Sequence, residues 1–244
     1  MNLYGLIGYP LGHSFSKKYF TDKFKREGLG DCFFELFPLE NINDFTQLIS
    51  EQTNLKGLAV TIPYKQSVMP FLQSIHEDAM KVGAVNCIKI LPNEMIGYNT
   101  DIVGFERSFT PLLKPYHTKA LLLGTGGASK AVQYVLNKLQ IPFLLVSRAP
   151  NTSNSVSYAA LNESILNEYP IIINSSPVGM SPNEDTEPII PYEFITEQHF
   201  LFDLIYQPSE TSFLKHGKLK GASIKNGYEM LIMQAEENWK IWNQ

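Results

Sequence analysis

The sequence predicts an α/β protein of two domains, and three observations support this. Short apolar segments alternate with longer amphipathic ones, which is typical of a parallel sheet covered by helices. The 244 residues are 44% apolar and 18% charged, an ordinary composition for one large or two modest globular domains. Pro111 and Pro115 interrupt the chain near its middle. We expect one domain from residues 1–101 with 226–244 and another from 102–225, the C-terminal helix returning to the first domain.

Apolar periodicity predicts the elements of the first half. Strands are expected at residues 3–8, 33–37 and 57–61, helices at 17–27, 42–50, 64–71 and 102–108, and a hairpin from 85–91 to 95–98. The helix at 64–71 is expected because it begins directly after Pro63, a residue favoured at a helix start.

The second half continues with an apolar strand at 119–123, a glycine-rich turn, and a helix from about 129 to 139. Further strands are expected at 143–146, 171–174 and 200–205, joined by Ser- and Asn-rich connections. The segment 228–242 has strong helical periodicity.

Composition narrows the class of partner. The net charge is −4, the pI is near 5.8, and no Lys/Arg run is present, which argues against nucleic acid and favours a small-molecule ligand. No apolar run approaches the roughly 20 residues of a membrane span, and the N-terminal segment does not resemble a signal peptide. Cys32 and Cys87 have no metal-like spacing. We therefore expect a cytoplasmic protein with reduced thiols and no metal.

The segment ALLLGTGGASKAVQYVL predicts a dinucleotide-binding turn. Gly124, Gly126 and Gly127 lie between a strand and a helix, where glycines let the backbone approach a pyrophosphate at the helix N-terminus. Ser129 replaces the third glycine of the usual pattern. The alternative is a glycine-rich turn that binds nothing.

The next strand indicates which dinucleotide binds. NAD-selective folds place an acid at its end, whereas here Val146 is followed by Ser147 and Arg148. A guanidinium and a hydroxyl suit a 2′-phosphate, so NADP(H) is predicted. The alternative is that Arg148 is an ordinary surface residue.

Four segments of the first half carry polar groups, and each has a structural alternative. Ser14 and Ser16 suit a carboxylate at a helix N-terminus, or simply cap that helix. Lys65 lies just past the end of a strand, where open sheets bind ligands, although most lysines are solvated. Asn86 suits ring hydroxyls or a turn, and Asp101 is a polar group at the start of a helix, where it is also suited to be the N-cap.

The segments GYPLGHSFS, VTIPYK, GAVNCI and GYNTDIVGF, in this order ahead of GTGGAS, resemble the shikimate dehydrogenase family. INSSPVGM, DLIYQPSETSFL and NGYEMLIMQA extend the resemblance over nearly the whole chain. It implies an N-terminal α/β substrate domain, a Rossmann-type NADP-binding domain, and reversible reduction of 3-dehydroshikimate to shikimate by NADPH.

The resemblance also implies roles for individual residues. The catalytic pair is expected to be Lys65 and Asp101, with Lys65 stabilising the developing alkoxide and donating a proton. His13 is the rival acid, for which we expect a structural role. Substrate contacts are expected from Ser14, Ser16, Thr61, Asn86, Asp101, Gln234 and, near the cleft, Tyr206. Cofactor contacts are expected from Gly124, Gly126, Gly127, Ala128, Ser147, Arg148, Gly227 and the loop 176–180.

Two alternatives stay open from the sequence. A paralogue that also accepts quinate, often with NAD, would share these motifs. A regulator that binds shikimate and NADP(H) without turnover would share them as well, although Lys65 and Asp101 are both present. The chain is expected to be a monomer or a homodimer.

Overall fold

The computed structural model describes residues 1–12 and 14–244. The chain divides into two compact units, one of residues 1–100 with 235–244 and one of residues 101–234. The boundary at residues 234 and 235 falls within the last helix, so the C-terminal residues belong to the first unit. The assignment of one unit to substrate and the other to cofactor stays a prediction.

The first unit contains a mixed six-stranded sheet in the order β2-β1-β3-β5-β6-β4. Its strands are β1 (Asn2–Gly8), β2 (Cys32–Pro38), β3 (Leu55–Val60), β4 (Ser74–Ile75), β5 (Cys87–Leu91) and β6 (Glu94–Tyr98). β1 pairs in parallel with β2 and β3, whereas β5 is antiparallel to both β3 and β6. The start of β5 and the end of β6 therefore lie at the edge where β3 ends.

Helices cover the first sheet on two faces. They are α1 (Phe15–Arg26), α2 (Phe45–Glu51) and α3 (Glu77–Val82). Alternation along β1 separates two cores: Leu3 and Ile7 pack with the α2 side, while Tyr4 and Leu6 pack with Phe20 and other residues of the α1 side. The second core includes Trp242 from the returning C-terminal segment.

The second unit contains six strands in the order β12-β11-β10-β7-β8-β9, and the neighbouring pairs are parallel. They are β7 (Ala120–Leu123), β8 (Phe143–Val146), β9 (Ser155–Val156), β10 (Ile171–Asn174), β11 (Phe200–Asp203) and β12 (Ser223–Lys225). From β7 the chain adds β8 and β9 on one side and then β10, β11 and β12 on the other, so the strand order reverses at β7, between β8 and β10. Open α/β sheets bind ligands at the carboxyl ends of the strands at such a point.

The helices of this unit are α4 (Asp101–Phe109), α5 (Gly127–Lys138), α6 (Glu163–Glu168), α7 (Ser212–Leu219) and α8 (Tyr228–Trp242), of which α8 continues into the first unit. Phe105 and Phe109 of α4 stack on each other and meet Phe202 of β11 edge-on. No helix of the described residues is long and apolar enough to cross a membrane.

The predicted α/β class and hairpin are confirmed, but the expected helix at 64–71 is wrong. Turns occupy residues 64–68, and a short 3₁₀ helix occupies Met69–Phe71. In an α-helix the carbonyl of Gln66 would accept from the amide of residue 70, but Pro70 has no N–H. The Gln66 carbonyl accepts from the amide of Met69 instead. The strand expected at 200–205 ends at Asp203, and the helix expected near 129 begins at Gly127. The elements α3, α6, α7, β4, β9 and β12 were not predicted.

Candidate active site

The carboxyl edge of β1 and β3 brings together polar residues from three segments of the first unit. The amide of Thr61, just past β3, donates to the carbonyl of Ile7 at 2.9 Å. The amide of Val60 donates to the carbonyl of Asn86 at 2.8 Å, and the Asn86 amide donates to the Tyr98 carbonyl at 3.0 Å. Asn86 therefore lies between the end of β3 and the end of β6.

Asn86 is held by a buried network of side chains. Its Oδ1 accepts from the backbone amide of Thr100 at 2.6 Å, and its Nδ2 donates to Thr100 Oγ1 at 3.0 Å. The Thr100 hydroxyl donates to Oδ1 of Asn238 in α8 at 2.6 Å. All three residues are at most 3% exposed. The sequence drew attention to Asn86 and did not predict Asn238, because its partner lies 138 residues away.

Lys65 lies in the turn that follows Thr61. Its carbonyl accepts from the Val85 amide at 2.7 Å, which places Lys65 next to the segment that contains Asn86. The neighbouring Tyr64 is buried and anchors the turn, because its hydroxyl donates to the Leu39 carbonyl at 2.5 Å. The structure thus brings Thr61, Lys65 and Asn86 to one edge of the sheet.

Ser14 and Ser16 lie at the start of α1, which follows the end of β1. Ser14 is the N-cap, with its Oγ accepting from the Lys17 amide at 3.5 Å, and Ser16 lies in the first turn. The connection from β1 begins at the same edge: the Tyr9 amide donates to the Ile62 carbonyl at 3.1 Å. His13 lies outside the described residues, so its expected structural role stays a prediction.

Asp101 begins α4 in the second unit and is 7% exposed. Lys65 belongs to the first unit, so the pairing of Lys65 with Asp101 stays a prediction. Gln234 is the last residue of the second unit, and its Nε2 donates to the Leu231 carbonyl at 2.9 Å within α8. A Cβ on Gly104 of α4 would lie 2.6 Å from the Met230 carbonyl oxygen, so glycine permits the close packing of α4 on this part of α8.

The glycine-rich turn joins β7 to α5 in the second unit. Gly124 has φ +101°, a conformation that favours glycine, and its carbonyl accepts from Ser129 Oγ at 2.9 Å. Gly126 is the N-cap of α5, and Gly127 and Ala128 are its first residues. A Cβ at Gly126 or Gly127 would meet no atom within 4 Å, and the first turn of α5 has no acidic residue. The turn is therefore an open cradle that fits a pyrophosphate at a helix N-terminus.

Ser147 and Arg148 follow β8 at the same edge. Ser147 is partly buried, and its Oγ accepts from the Ala149 amide at 3.2 Å. Arg148 is exposed. This pair fits a phosphate on the ribose better than a 2′-hydroxyl, which usually receives a carboxylate.

On the other side of β7, the ends of β10 and β11 carry two buried polar residues that the sequence analysis did not single out. Asn174 and Asp203 are fully buried, and Asn174 Nδ2 donates to Asp203 Oδ1 at 3.1 Å. Burial raises the pKa of Asp203 to about 6, against hydrogen bonds from its neighbours that lower it. The sequence does carry a signal for these two residues, because each is the polar end of an otherwise apolar strand: IIIN ends at Asn174 and FLFD ends at Asp203.

Tyr206 and Gly227 lie beyond β11 and β12. Tyr206 is partly buried, and burial raises the pKa of its hydroxyl. The Gly227 amide donates to the Ile205 carbonyl at 3.0 Å, and a Cβ on Gly227 would overlap the Leu204 carbonyl. Gly227 is thus required for close backbone packing. Among the described residues, no group of three or more His, Cys, Asp or Glu side chains could hold a metal ion.

Comparison with known proteins gives a consistent result. Residues 6–88 match the sequence profile of the shikimate dehydrogenase substrate binding domain. The NADP(+) shikimate dehydrogenase of Staphylococcus haemolyticus is 35% identical, over 98% of this chain and 91% of its own. The crystal structure of shikimate dehydrogenase from Aquifex aeolicus has a TM-score of 0.87 at 31% identity, covering 99% of this chain and 92% of that one. The Thermus thermophilus shikimate 5-dehydrogenase, in complex with NADP(H) and shikimate, has a TM-score of 0.88 at 25% identity, covering 99% and 93%.

Proposed function

The chain belongs to the shikimate dehydrogenase family, and from this premise we propose that it reduces 3-dehydroshikimate reversibly to shikimate with NADPH. The single observation that carries the proposal is the grouping of Thr61, Lys65 and Asn86 at the carboxyl edge of the first sheet. Hydrogen-bonding groups and one cation at such an edge suit a hydroxylated substrate whose carbonyl oxygen gains negative charge.

The open turn after β7 supports the choice of a dinucleotide cofactor. The backbones of Gly124, Gly126, Gly127 and Ala128 would hold the pyrophosphate, since the space around Gly126 and Gly127 is open to 4 Å from a Cβ. Ser147 and Arg148 would hold the 2′-phosphate, which favours NADP(H) over NAD(H). Gly227 would lie near the nicotinamide. When bound, NADPH supplies the hydride for reduction of the substrate carbonyl.

Polar side chains besides Lys65 would orient the substrate. Ser14 and Ser16 would hold the carboxylate at the start of α1, where a helix N-terminus favours an anion. Thr61, Asn86, Asp101 and Gln234 would contact the ring hydroxyls, and Tyr206 is a further proposed substrate contact. Thr100 fixes the orientation of the Asn86 amide, so the site would be preorganised rather than assembled on binding.

Lys65 would act as the acid during reduction. Its ammonium group can stabilise the developing alkoxide and then transfer a proton to that oxygen. Asp101 would be its carboxylate partner. In shikimate oxidation the same proton would return to Lys65.

The proposal is tested by following reduced nicotinamide spectroscopically with pure protein, shikimate or quinate, and NADP⁺ or NAD⁺. We expect NADPH to form from shikimate, with much slower turnover of quinate and with NAD⁺. Efficient quinate turnover with NAD⁺ would contradict the substrate and cofactor assignment. Absence of turnover from folded protein that still binds shikimate and NADP(H) would contradict the enzymatic function.

A further inference from the structure

Asp203 is a buried carboxylate whose hydrogen bonds connect three segments of the second unit. Its Oδ1 accepts from the Ile205 amide at 3.0 Å and from Asn174 Nδ2 at 3.1 Å. Its Oδ2 accepts from Thr211 Oγ1 at 2.6 Å, at the N-cap of α7. A carboxylate is suited to this position because all three partners donate.

Asn174 extends these contacts into the loop after β10. Its second Nδ2 hydrogen donates to the Val178 carbonyl at 3.3 Å. Its Oδ1 accepts from both the amide and the hydroxyl of Ser176, at 3.1 and 2.7 Å. Rotating the amide group by 180° would place its NH₂ against the Ser176 amide and its oxygen against the Asp203 carboxylate, so the bond to Asp203 acts together with the bonds to Ser176 and Val178 in holding its orientation.

The loop held in this way lies beside the glycine-rich turn. Ser175 Oγ donates to the Leu123 carbonyl at 2.8 Å, and the Ser175 amide donates to the same oxygen at 2.9 Å. A Cβ on Gly124 would lie 3.2 Å from the Ser176 amide nitrogen. The start of the loop 175–180 therefore lies against the glycine-rich turn, on the β10 side of β7 and opposite the side that carries Arg148.

We propose that Asp203 is a positioning residue: through Asn174 it holds the loop 175–180 in the shape that receives the nicotinamide half of the cofactor. A dinucleotide crosses the sheet at the point where strand order reverses. With its adenosine phosphate held at β8, its other half would lie on the side of β10 and β11. This inference rests on the proposed function for its cofactor, whereas the hydrogen bonds that hold the loop do not depend on it.

The test compares Asp203→Ala with a matched control, His199→Ala. His199 lies just before β11, at the opposite end of that strand, and is 3% exposed. Its ring bonds the Thr196 amide at 3.0 Å and the Leu166 carbonyl at 3.1 Å, so both substitutions remove buried hydrogen bonds. Only Asp203 is connected to the loop. Asp203→Asn, which keeps the Oδ1 acceptor and can donate to Thr211, serves as the conservative variant.

Two readouts are made on each folded protein. The first is amide hydrogen exchange across residues 175–180 without cofactor, where we expect at least tenfold faster exchange in Asp203→Ala and parental exchange in His199→Ala. The second is steady-state kinetics, where we expect kcat to fall at least tenfold in Asp203→Ala with KM for shikimate unchanged. Asp203→Asn is expected to recover most of kcat.

Parental exchange in the loop of Asp203→Ala would overturn the inference, and so would a kcat equal to that of His199→Ala. If the unsubstituted protein shows no turnover, the proposed function is contradicted. The hydrogen-exchange data would still test whether Asp203 holds the loop. If Asp203→Ala does not fold, Thr211→Val is used: it removes the hydroxyl donor to Oδ2, together with the acceptor that caps α7 at the Leu214 amide, and leaves Asp203 and Asn174 in place. Faster exchange at 175–180 in that variant supports the inference, and unchanged exchange overturns it.

Discussion

Asn86 and Thr100 hydrogen-bond each other in both directions, the Thr100 amide donating to Asn86 Oδ1 at 2.6 Å and Asn86 Nδ2 donating to Thr100 Oγ1 at 3.0 Å. This pair joins the segment before β5 to the segment after β6, directly at the edge that carries Thr61 and Lys65. It explains how a site made from separate parts of the chain keeps a defined geometry in the first unit.

The first prediction concerns the stability of this pair. Thr100→Val keeps the shape of the side chain and leaves Asn86 Nδ2 and Asn238 Oδ1 without their Thr100 partner. We expect a loss of about 1–3 kcal/mol in the free energy of unfolding, measured with denaturant. Thr53→Val, at an exposed turn residue, is the control and should change stability by less than about 0.5 kcal/mol. Equal effects of the two substitutions would show that the buried network does not stabilise the fold.

The second prediction separates two roles of glycine in the turn after β7. Gly126 has extended backbone angles and open space around a Cβ, so Gly126→Ala should destabilise the protein by no more than about 1 kcal/mol, the difference between glycine and alanine at an N-cap. Its methyl group would project into the cradle, and we expect NADP(H) affinity to fall at least tenfold. Gly124→Ala should also destabilise the protein, by about 1–3 kcal/mol, because of its positive φ. Calorimetry and NADPH fluorescence titration measure both effects, and parental NADPH affinity in Gly126→Ala would contradict the cradle.

The third prediction concerns cofactor choice. Arg148→Ala should raise KM for NADP⁺ about tenfold or more, since an exposed guanidinium would be lost from the 2′-phosphate. KM for NAD⁺, which has no such phosphate, should stay within about twofold and serves as the internal control. An equal rise for both cofactors would assign Arg148 a general role in binding rather than phosphate recognition.

The fourth prediction is a pH dependence of stability at Asp203. The pKa of Asp203 is raised from 3.8 to about 6 in the folded protein, mainly by burial. The native state then holds a proton between about pH 4 and pH 6 that the unfolded chain has released, so unfolding free energy falls as pH rises through this range and levels above it. Relative to Asp203→Asn, we expect a change of about 3 kcal/mol across the window. A pH-independent difference between the two proteins in denaturant unfolding would refute the shift.

Local sequence signals were sufficient for much of the fold and failed where structure depends on distant partners. The strand–glycine–helix pattern around Gly124 and the hairpin at β5 and β6 follow from short-range periodicity and turn chemistry. The apolar spacing at 64–71 predicts a helix, but Pro70 interrupts it. Short helices such as α3 and α6 carry too few residues for a periodic signal.

The candidate site residues show the same contrast between local signals and distant partners. Thr61, Lys65 and Asn86 were found because polar residues stand out just after or before apolar strands and match family motifs. Asn238 and Asn174 act through partners far away in sequence, at separations of 138 and 29 residues. Asp203 resembles an ordinary strand-end residue until its burial and its three donors are known.

The most direct test of the central claim is the reduction of 3-dehydroshikimate by NADPH with Lys65→Ala, compared with Lys56→Ala. Lys56 is an exposed lysine of β3, the strand that leads to Thr61, and is a matched loss of charge away from the carboxyl edge. Removing the acid should lower kcat of Lys65→Ala by about 100-fold or more, with KM for 3-dehydroshikimate largely unchanged, while Lys56→Ala stays parental. Near-parental turnover by folded Lys65→Ala would contradict the proposed mechanism.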